Sequence, residues 1–351
     1  MEGKVRRLFE VLNRNLKAWP ARRSHLGRWL TAGQRRHCAS GDDFALNTQL
    51  PLYQMEPLRY QSLDPRFEAL FGPAPEIRQV WMGGEWLEGP AWIAQQKCLV
   101  FSDIPNDRQW AFHPYQGTMR QLQAGNSRYT NGATVDSAGS LLLCEHGTRS
   151  LVRVTNDGVR QTIIDRFDGG RLNSPNDVTV DPNGTIWFTD PSYGIESDRH
   201  GIPGPREQAG NFVFGVSAQG EVLQVLKGFA YPNGIGVSPD GQWLYVADSG
   251  GSRSPRNERH IRRFPLRKGR AEGGGPVFAV CPNGVFDGFA IDAGGRIWAS
   301  ASDGVYVYDI SGRPLGFIPI PECVSNLCFA DPGARHIYVT ASTSLYHIDL
   351  G

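Results

Sequence analysis

Residues 176–190 read Asn-Asp-Val-Thr-Val-Asp-Pro-Asn-Gly-Thr-Ile-Trp-Phe-Thr-Asp. A leading polar residue comes first, and an alternating apolar segment follows it. A turn with Asp181 and Gly184 then leads into a second apolar segment that ends in an acidic residue. Alternation with a period of two, joined across an Asp-x-x-Gly turn, predicts two antiparallel strands that begin at Asn176.

The same pattern recurs six times along the chain, at intervals of 39 to 57 residues. The leading residues of the six copies are Glu88, Asn131, Asn176, Asn233, Asp287 and Asn326. In four copies the turn glycine follows the leading residue by eight positions. Repeats of about 40–50 residues built from short strands and tight turns are typical of β-propellers. The sequence therefore predicts an all-β fold, a six-bladed β-propeller with a short N-terminal helical or irregular extension.

Charge divides the chain into unequal parts. The whole chain carries a formal charge of +1, but residues 1–37 contain ten Lys or Arg and only two Glu. We expect a basic extension at 1–40, a proline-containing lead-in segment at 41–79 that wraps onto the main domain, and the propeller at 80–351. Apolar residues at helical spacing in 4–18 fit either a membrane-surface or targeting element or a packed appendage.

Several functional classes are excluded by composition. No apolar run reaches the roughly 18 residues that a membrane span requires, and a near-zero net charge argues against nucleic-acid binding. Arg22 and Arg23 are not followed by the apolar stretch of an export signal. We therefore expect a cytoplasmic or periplasmic protein without a clear signal peptide; its oligomeric state is not predicted.

The six leading residues are predicted to form one ring. Innermost propeller strands line a central channel, so equivalent residues of the repeats lie at one height around its axis. Two carboxylates and four amides are hard oxygen donors, which suit calcium better than zinc or copper. An alternative is that Asn and Asp before Gly simply form turns. That alternative explains Glu88 poorly, because Glu is not a favoured turn residue.

Five motifs resemble the gluconolactonase/regucalcin (senescence marker protein) family, over about residues 62–351. They are Glu88-Gly-Pro-Ala-Trp with Phe101-Ser-Asp-Ile-Pro105, Asn173-Ser-Pro-Asn-Asp177, Phe188-Thr-Asp-Pro-Ser-Tyr-Gly194, Pro232-Asn-Gly234 and Phe286-Asp-Gly288. The resemblance implies a six-bladed propeller with one divalent metal ion in its channel. Calcium is the first expectation, with zinc, manganese and magnesium as alternatives.

The resemblance also implies which residues hold the metal. The family's Glu, two Asn and Asp ligands correspond to Glu88, Asn176, Asn233 and Asp287. Asp287 is the candidate general base in hydrolysis of a lactone, unless it serves only as a ligand while water on the metal is activated. Substrate contacts are expected from residues near the channel mouth and beside the ligands, namely Asn131, His146, Asp177 and Tyr193.

The predicted function is a metal-dependent hydrolase that opens sugar lactones such as glucono-1,5-lactone to the aldonic acid. The alternatives are a related propeller hydrolase acting on other lactones or organophosphate esters, and a non-catalytic interaction propeller. Two loops leave further alternatives open. Residues 196–208 form either a lid or a passive insertion, and the arginines between 253 and 263 form either a solvated loop or an anion site.

Overall fold

The computed structural model describes residues 48–49, 56–124, 126–254, 256–330 and 335–351. The predicted basic extension at 1–40 and most of the lead-in before Glu56 lie outside these residues. Six antiparallel sheets follow one another along the described chain, and each corresponds to one predicted repeat. The innermost strand of every sheet contacts those of the preceding and following sheets, and the sixth contacts the first. The six-bladed propeller predicted from the sequence is therefore confirmed.

Blades 1 to 3 each contain four consecutive strands, ordered from the axis outward. Blade 1 contains Leu87–Ile93, Cys98–Asp103, Arg108–His113 and Thr118–Ala124. Blade 2 contains Thr130–Val135, Leu141–Glu145, Ser150–Val154 and Arg160–Ile164. Blade 3 contains Val178–Val180, Ile186–Asp190, Asn211–Val216 and Val222–Phe229. A short hairpin, Arg166–Phe167 with Gly170–Arg171, lies between blades 2 and 3 in sequence.

Blades 4 to 6 follow the same plan with one exchange of strands. Blade 4 contains Pro232–Val237, Trp243–Asp248, His260–Arg267 and Val277–Val280, with Arg270–Ala271 folded back on its third strand. Blade 5 contains Phe289–Ile291, Ile297–Ala301, Gly304–Tyr308 and Pro314–Pro319. Blade 6 contains Val324–Ala330, His336–Ala341 and Ser344–Asp349, and its fourth strand is Glu76–Met82 from the beginning of the described chain.

The lead-in segment lies along the outer edges of the blades. Short strands at Thr48–Gln49, Glu56–Pro57 and Gln61–Ser62 pair with blades 1, 6 and 5 respectively. A four-residue helix, Pro65–Glu68, inserts the fully buried Phe67 against blade 5. These pairings cover strand edges that would otherwise expose unpaired backbone groups. Strand Glu76–Met82 spans the boundary that we place between the lead-in and the propeller.

The repeated Asp-x-x-Gly turn has a common hydrogen-bond pattern. In four turns, one each in blades 2 and 3 and two in blade 5, the turn carboxylate accepts the backbone N–H groups two and four residues further on, at 2.8–3.0 Å. The glycine three residues after each aspartate has a φ between +76° and +85°, which favours glycine. These turns begin at Asp136, Asp181, Asp292 and Asp309. The sequence period therefore reflects turns that connect neighbouring strands within a blade.

The hydrophobic core lies between adjacent blades, where the sheets face each other. Between blades 2 and 3, for example, Leu142, Leu151, Phe188 and Phe214 are fully buried in one cluster. The two α-helices of the described chain, Pro65–Glu68 and Tyr193–Glu196, have four residues each, and a 3₁₀ turn spans Gly250–Ser252. None of the helices among these residues is long and apolar enough to cross a membrane.

Candidate active site

Glycines beside the leading residues allow the innermost strands to converge on the axis. A Cβ atom on Gly89, Gly132 or Gly234 would lie only 2.1–2.4 Å from a backbone carbonyl oxygen of the next blade. Each of those oxygens belongs to the next blade's leading residue, namely Asn131, Asn176 or Asp287. The Gly132 and Gly234 N–H groups donate to the same oxygens at 2.8 and 3.0 Å. These glycines therefore serve close approach between blades, rather than the turn of the alternative interpretation.

Three buried aspartates place three of the leading residues. Each stands at the end of a second strand and accepts the backbone N–H groups two and three residues before the leading residue, at 2.8–3.3 Å. The three are Asp103 for Glu88, Asp190 for Asn176 and Asp248 for Asn233. In blade 5 the Asp287 N–H instead donates to Ser300 Oγ at 3.0 Å. Backbone geometry thus orients the side chains before any ligand is present.

Five of the six leading residues border one cavity of about 330 Å³, a volume within the range of small-molecule sites. They are Glu88, Asn131, Asn176, Asn233 and Asp287. His146 and Tyr193, two predicted substrate contacts, also line it. Asn326 and the fourth predicted contact, Asp177, are not among the lining residues. Their buried side chains interact with each other and with other groups near the axis.

The acidic groups around the axis share one electrostatic environment. Burial raises the pKa of Glu88 well above its usual range, and the charge of Asp287 raises it further. Burial also raises the pKa of Asp287 to about 7, while a hydrogen bond with Asn233 acts in the opposite direction. The charge of Asp177 raises both pKa values. Buried carboxylates that repel one another are the arrangement that a bound cation would stabilise.

The donor atoms at this site are oxygens from carboxylates and amides. Within the described part of the chain, no three His, Cys, Asp or Glu side chains come together as a metal-binding group. A cation beside Glu88 and Asp287 would therefore depend on amide oxygens from Asn176 and Asn233. Such a mixed oxygen set fits a hard ion such as Ca²⁺ and not a site built on thiolates or imidazoles.

His146 connects the ring to a loop above it. Its Nδ1 lies 2.6 Å from the His200 carbonyl oxygen, which can only accept, so Nδ1 carries the proton. Its Nε2 then accepts from the Asn131 Nδ2 group at 3.2 Å. Burial lowers the pKa of His146 to about 4, in agreement with a neutral ring. The Asn131 Nδ2 group is thereby held toward His146, which turns its amide oxygen away from that ring.

The loop between the second and third strands of blade 3 covers part of the cavity. Arg199 and His200 of this loop line the cavity. The Arg149 guanidinium donates to the Pro205 carbonyl oxygen and to Glu207 at 3.3 and 3.2 Å, which fixes the far end of the loop to blade 2. These positions fit the lid alternative better than a passive insertion.

Aromatic and charged side chains form a rim, which consists of Tyr193, Glu196, Arg199, Tyr231 and Arg253. The Arg253 guanidinium lies over the Tyr193 ring at 4.9 Å and pairs with Glu196 at 2.7 Å. The Tyr231 hydroxyl also donates to Glu196, at 2.8 Å. Arg253 remains exposed to solvent and also lines the cavity, so the solvated-loop interpretation describes it only in part. In the sequence, the only sign of these rim residues is the long interval that follows the second strand in blade 3 and in blade 4.

The cavity has one polar and one apolar side. Blades 2 to 4 contribute the amides, His146, His200, Tyr193, two serines and the rim arginines Arg199 and Arg253. Besides Glu88, Asp287 and Ser302, blades 1, 5 and 6 contribute apolar groups: Trp86, Ile104, Val285, Cys323 and Val324. A ligand with hydroxyl groups on one edge and C–H groups on the other matches this division.

The family model described as the SMP-30/Gluconolactonase/LRE-like region matches residues 86–343. A gluconolactonase from Zymomonas mobilis is 31% identical over 309 residues, which cover 81% of this chain and 84% of that protein. A pentonolactonase from Haloferax volcanii is 28% identical over 265 residues, 73% of this chain and 81% of that one.

The chain is also similar to a solved gluconolactonase structure. A gluconolactonase from Xanthomonas campestris superposes with a TM-score of 0.77 at 33% identity, and the match covers 85% of this chain and 98% of the other. The residues matched by the family model include all the leading residues that border the cavity. The chain therefore belongs to the SMP-30/gluconolactonase/LRE-like family.

Proposed function

We propose that this protein is a metal-dependent lactonase that hydrolyses sugar lactones such as glucono-1,5-lactone to the aldonic acid. The observation that carries the proposal is the meeting of Glu88, Asn176, Asn233 and Asp287, from four different blades, at one cavity. Membership of a family that includes gluconolactonases and a pentonolactonase supports the choice of substrate class. The propeller at 80–351 is the proposed catalytic unit, with 1–40 and 41–79 as extension and lead-in.

Glu88, Asn176, Asn233 and Asp287 would hold the divalent ion, with Ca²⁺ as the first candidate. The two carboxylates supply charge, and the two amides complete the set without adding further charge. When bound, the ion supplies Lewis-acid stabilisation of the negative charge that develops on the lactone carbonyl oxygen. The repulsion between the buried Glu88 and Asp287 carboxylates supports a cation at this position.

Asp287 is the proposed general base. Its carboxylate borders the cavity beside Asn233, whose hydrogen bonding partly offsets the rise that burial causes in the pKa of Asp287. In this role it takes a proton from the attacking water as the water oxygen bonds to the carbonyl carbon. The ring C–O bond then breaks, and the proton held by Asp287 passes to the leaving ring oxygen, which becomes the hydroxyl group of the open aldonic acid. Asp287 would serve as ligand and base in turn.

Substrate orientation is proposed for residues on the polar side of the cavity. With its Nδ2 group held by His146, the Asn131 amide oxygen is available to accept a sugar hydroxyl. The hydroxyl of the rim residue Tyr193, 3.0 Å from Ser252 Oγ, is a second candidate. Both ring nitrogens of His146 are engaged by protein groups, so it would act through Asn131. Asp177 follows the ligand Asn176 and is buried near the axis outside the cavity lining, where it would help to hold the ring residues in place.

The test is acid release from glucono-1,5-lactone, measured with purified protein and one equivalent of Ca²⁺. We expect Asp287→Asn to lower kcat/KM at least about 100-fold, the usual scale for removing a general base. Asp240→Asn is the matched control, because Asp240 is an exposed turn carboxylate in blade 4. It should leave kcat/KM unchanged within about twofold.

Three outcomes would contradict the proposal in different places. Full activity of Asp287→Asn would show that this residue is not the general base. Full activity after a chelator has taken all metal from the protein would show that the reaction does not need the ion. If the protein opened no sugar lactone, with pentonolactones included in the panel, the proposed function would be wrong.

A further inference from the structure

In two of the six blades, the leading residue of the ring is not followed by glycine. Four leading residues are followed by glycine, but Asn176 is followed by Asp177 and Asn326 by Leu327. The exceptions belong to blades 3 and 6, which have two blades between them on either side and so face each other across the axis. At this crossing the Asn326 side chain faces Asp177, and its hydrogen bonding partly offsets the rise that burial causes in the pKa of Asp177.

Asp177 is held by backbone groups from two blades. One carboxylate oxygen accepts the Val178 N–H at 2.9 Å, and the other accepts the Ile235 N–H of blade 4 at 3.3 Å. The residue is buried, so the position of its carboxylate is determined by the fold. Asp177 therefore presents a fixed acceptor to the side chain that reaches it from blade 6.

Asn326 has its amide orientation set by its surroundings. Its Oδ1 accepts the Leu327 N–H at 2.8 Å, which leaves its NH₂ group for the opposite side. On that side it faces Glu88 and Asp177, and hydrogen bonding from Asn326 partly offsets the rise that burial causes in the pKa of both carboxyl groups. Ionised carboxylates can only accept, so the NH₂ group is the donor. Space for the side chain exists because residue 288 is glycine; a Cβ there would overlap the Asn326 amide carbon at 2.0 Å.

We propose that Asn326 is a positioning residue whose NH₂ group bridges Glu88 and Asp177 and holds the Glu88 carboxylate for the cation. Its oxygen is committed to Leu327, so it does not ligate the ion as the other asparagines of the ring are proposed to do. The inference rests on the proposed metal site. It separates two residues, Asn326 and Asn176, that occupy equivalent places in the repeat.

The experiment compares the same substitution at these two places. Ca²⁺ affinity is measured by titration calorimetry on the full-length wild type, Asn326→Asp and Asn176→Asp, and the thermal unfolding of each metal-free protein is recorded. At Asn176 the aspartate keeps a ligand oxygen, so affinity should be retained or increased. At Asn326 it replaces the bridging donor by an acceptor between two carboxylates, and affinity should fall at least about tenfold.

A double variant, Asn326→Asp with Asp177→Asn, shows whether affinity depends on the position of the NH₂ donor or on the number of charged groups. It has the same number of carboxylates and amides as the wild type but no NH₂ group at position 326 beside Glu88. We expect its affinity to remain at least about tenfold below that of the wild type. Wild-type affinity in this variant would overturn the inference, because charge alone would then explain the loss.

The remaining outcomes are also decisive. Unchanged or tighter binding by Asn326→Asp, in a wild type that binds Ca²⁺, overturns this inference and leaves the proposed function standing. A wild type that binds no divalent ion overturns both. If Asn326→Asp does not fold, Asn326→Ser, which keeps one donor, takes its place with an expected fall of about threefold to tenfold.

Discussion

The ring and the rim differ in what holds them. Ring residues such as Asn176 and Asn233 lie just before or at the start of innermost strands, and backbone hydrogen bonds between blades and to strand-end aspartates fix them. Rim residues such as Arg253 and Tyr193 come from connections outside the strands, and side-chain contacts hold them. The ring is thus a property of the fold, whereas the rim can vary without disturbing it. We propose that the ring carries the chemistry and that the rim selects the substrate.

The largest expected effect comes from closing the space between two innermost strands. Gly234→Ala would place a Cβ 2.4 Å from the backbone oxygen of Asp287. We expect the free energy of unfolding to fall by about 2–3 kcal/mol and kcat/KM on the lactone to fall about 100-fold through displacement of Asp287. Denaturant unfolding and the acid-release assay measure the two effects.

Gly274→Ala is the control for that substitution, because a Cβ at residue 274 meets no atom within 4 Å. Its stability should stay within about 0.5 kcal/mol of the wild type. Equal stability of the two variants would show that the innermost strands tolerate displacement at the ring. The ring would then be no more strictly fixed by the fold than the rim.

An intermediate effect is expected at His146, where the ring meets the loop of residues 196–208. Its pKa is about 4 in the folded protein against 6.5 for the free side chain. As pH falls below 6.5, the unfolded chain takes up this proton before the folded protein does, so folding stability decreases until pH 4. At a pH of about 5.5 the loss relative to about pH 7.5 from this group is about 1.4 kcal/mol.

His146→Gln isolates that contribution, because glutamine can donate to the His200 carbonyl and accept from Asn131 but does not titrate. The unfolding free energy of both proteins is measured from about pH 7.5 to about pH 5.5. The difference between them should shrink or reverse by about 1.4 kcal/mol as pH falls, even though buried acids with raised pKa values stabilise both at low pH. A constant difference would contradict the neutral, buried histidine.

The smallest effect is expected at the rim. Arg253→Leu removes the cation over Tyr193 and the pair with Glu196, yet touches no ring residue. Since the pair is partly exposed, we expect KM to rise about threefold to tenfold with kcat unchanged within about twofold. Arg267→Leu, an exposed arginine paired with Glu272 on the outside of blade 4, serves as control. A large fall in kcat for Arg253→Leu would place the rim in the chemistry.

The same contrast explains how much can be predicted from the sequence. The two antiparallel strands predicted from Asn176 onward are Val178–Val180 and Ile186–Asp190 in the structure, because alternation and turn residues determine them locally. Each ring residue repeats at one place in the pattern, so the six positions emerge together. Arg199 and Tyr231 repeat nowhere, and only the folded loops bring them to the site. The roles of Asp177 and Asn326 depend on contacts across the axis, which spacing along the chain does not reveal.

The strand exchange in blade 6 has a consequence for synthesis of the protein. Strand Glu76–Met82 cannot complete its pairing until its partner in the last blade, Ser344–Asp349, has been synthesised, and roughly 260 residues separate the two. At about 5–20 residues per second, a ribosome needs roughly 13–52 s to produce that interval. Throughout this time the early strand has no final neighbour on that side. The circle of blades closes only after Ser344–Asp349 has been translated, so a nascent chain that stalls before Ser344 carries Glu88 and Asp287 without a completed channel between them.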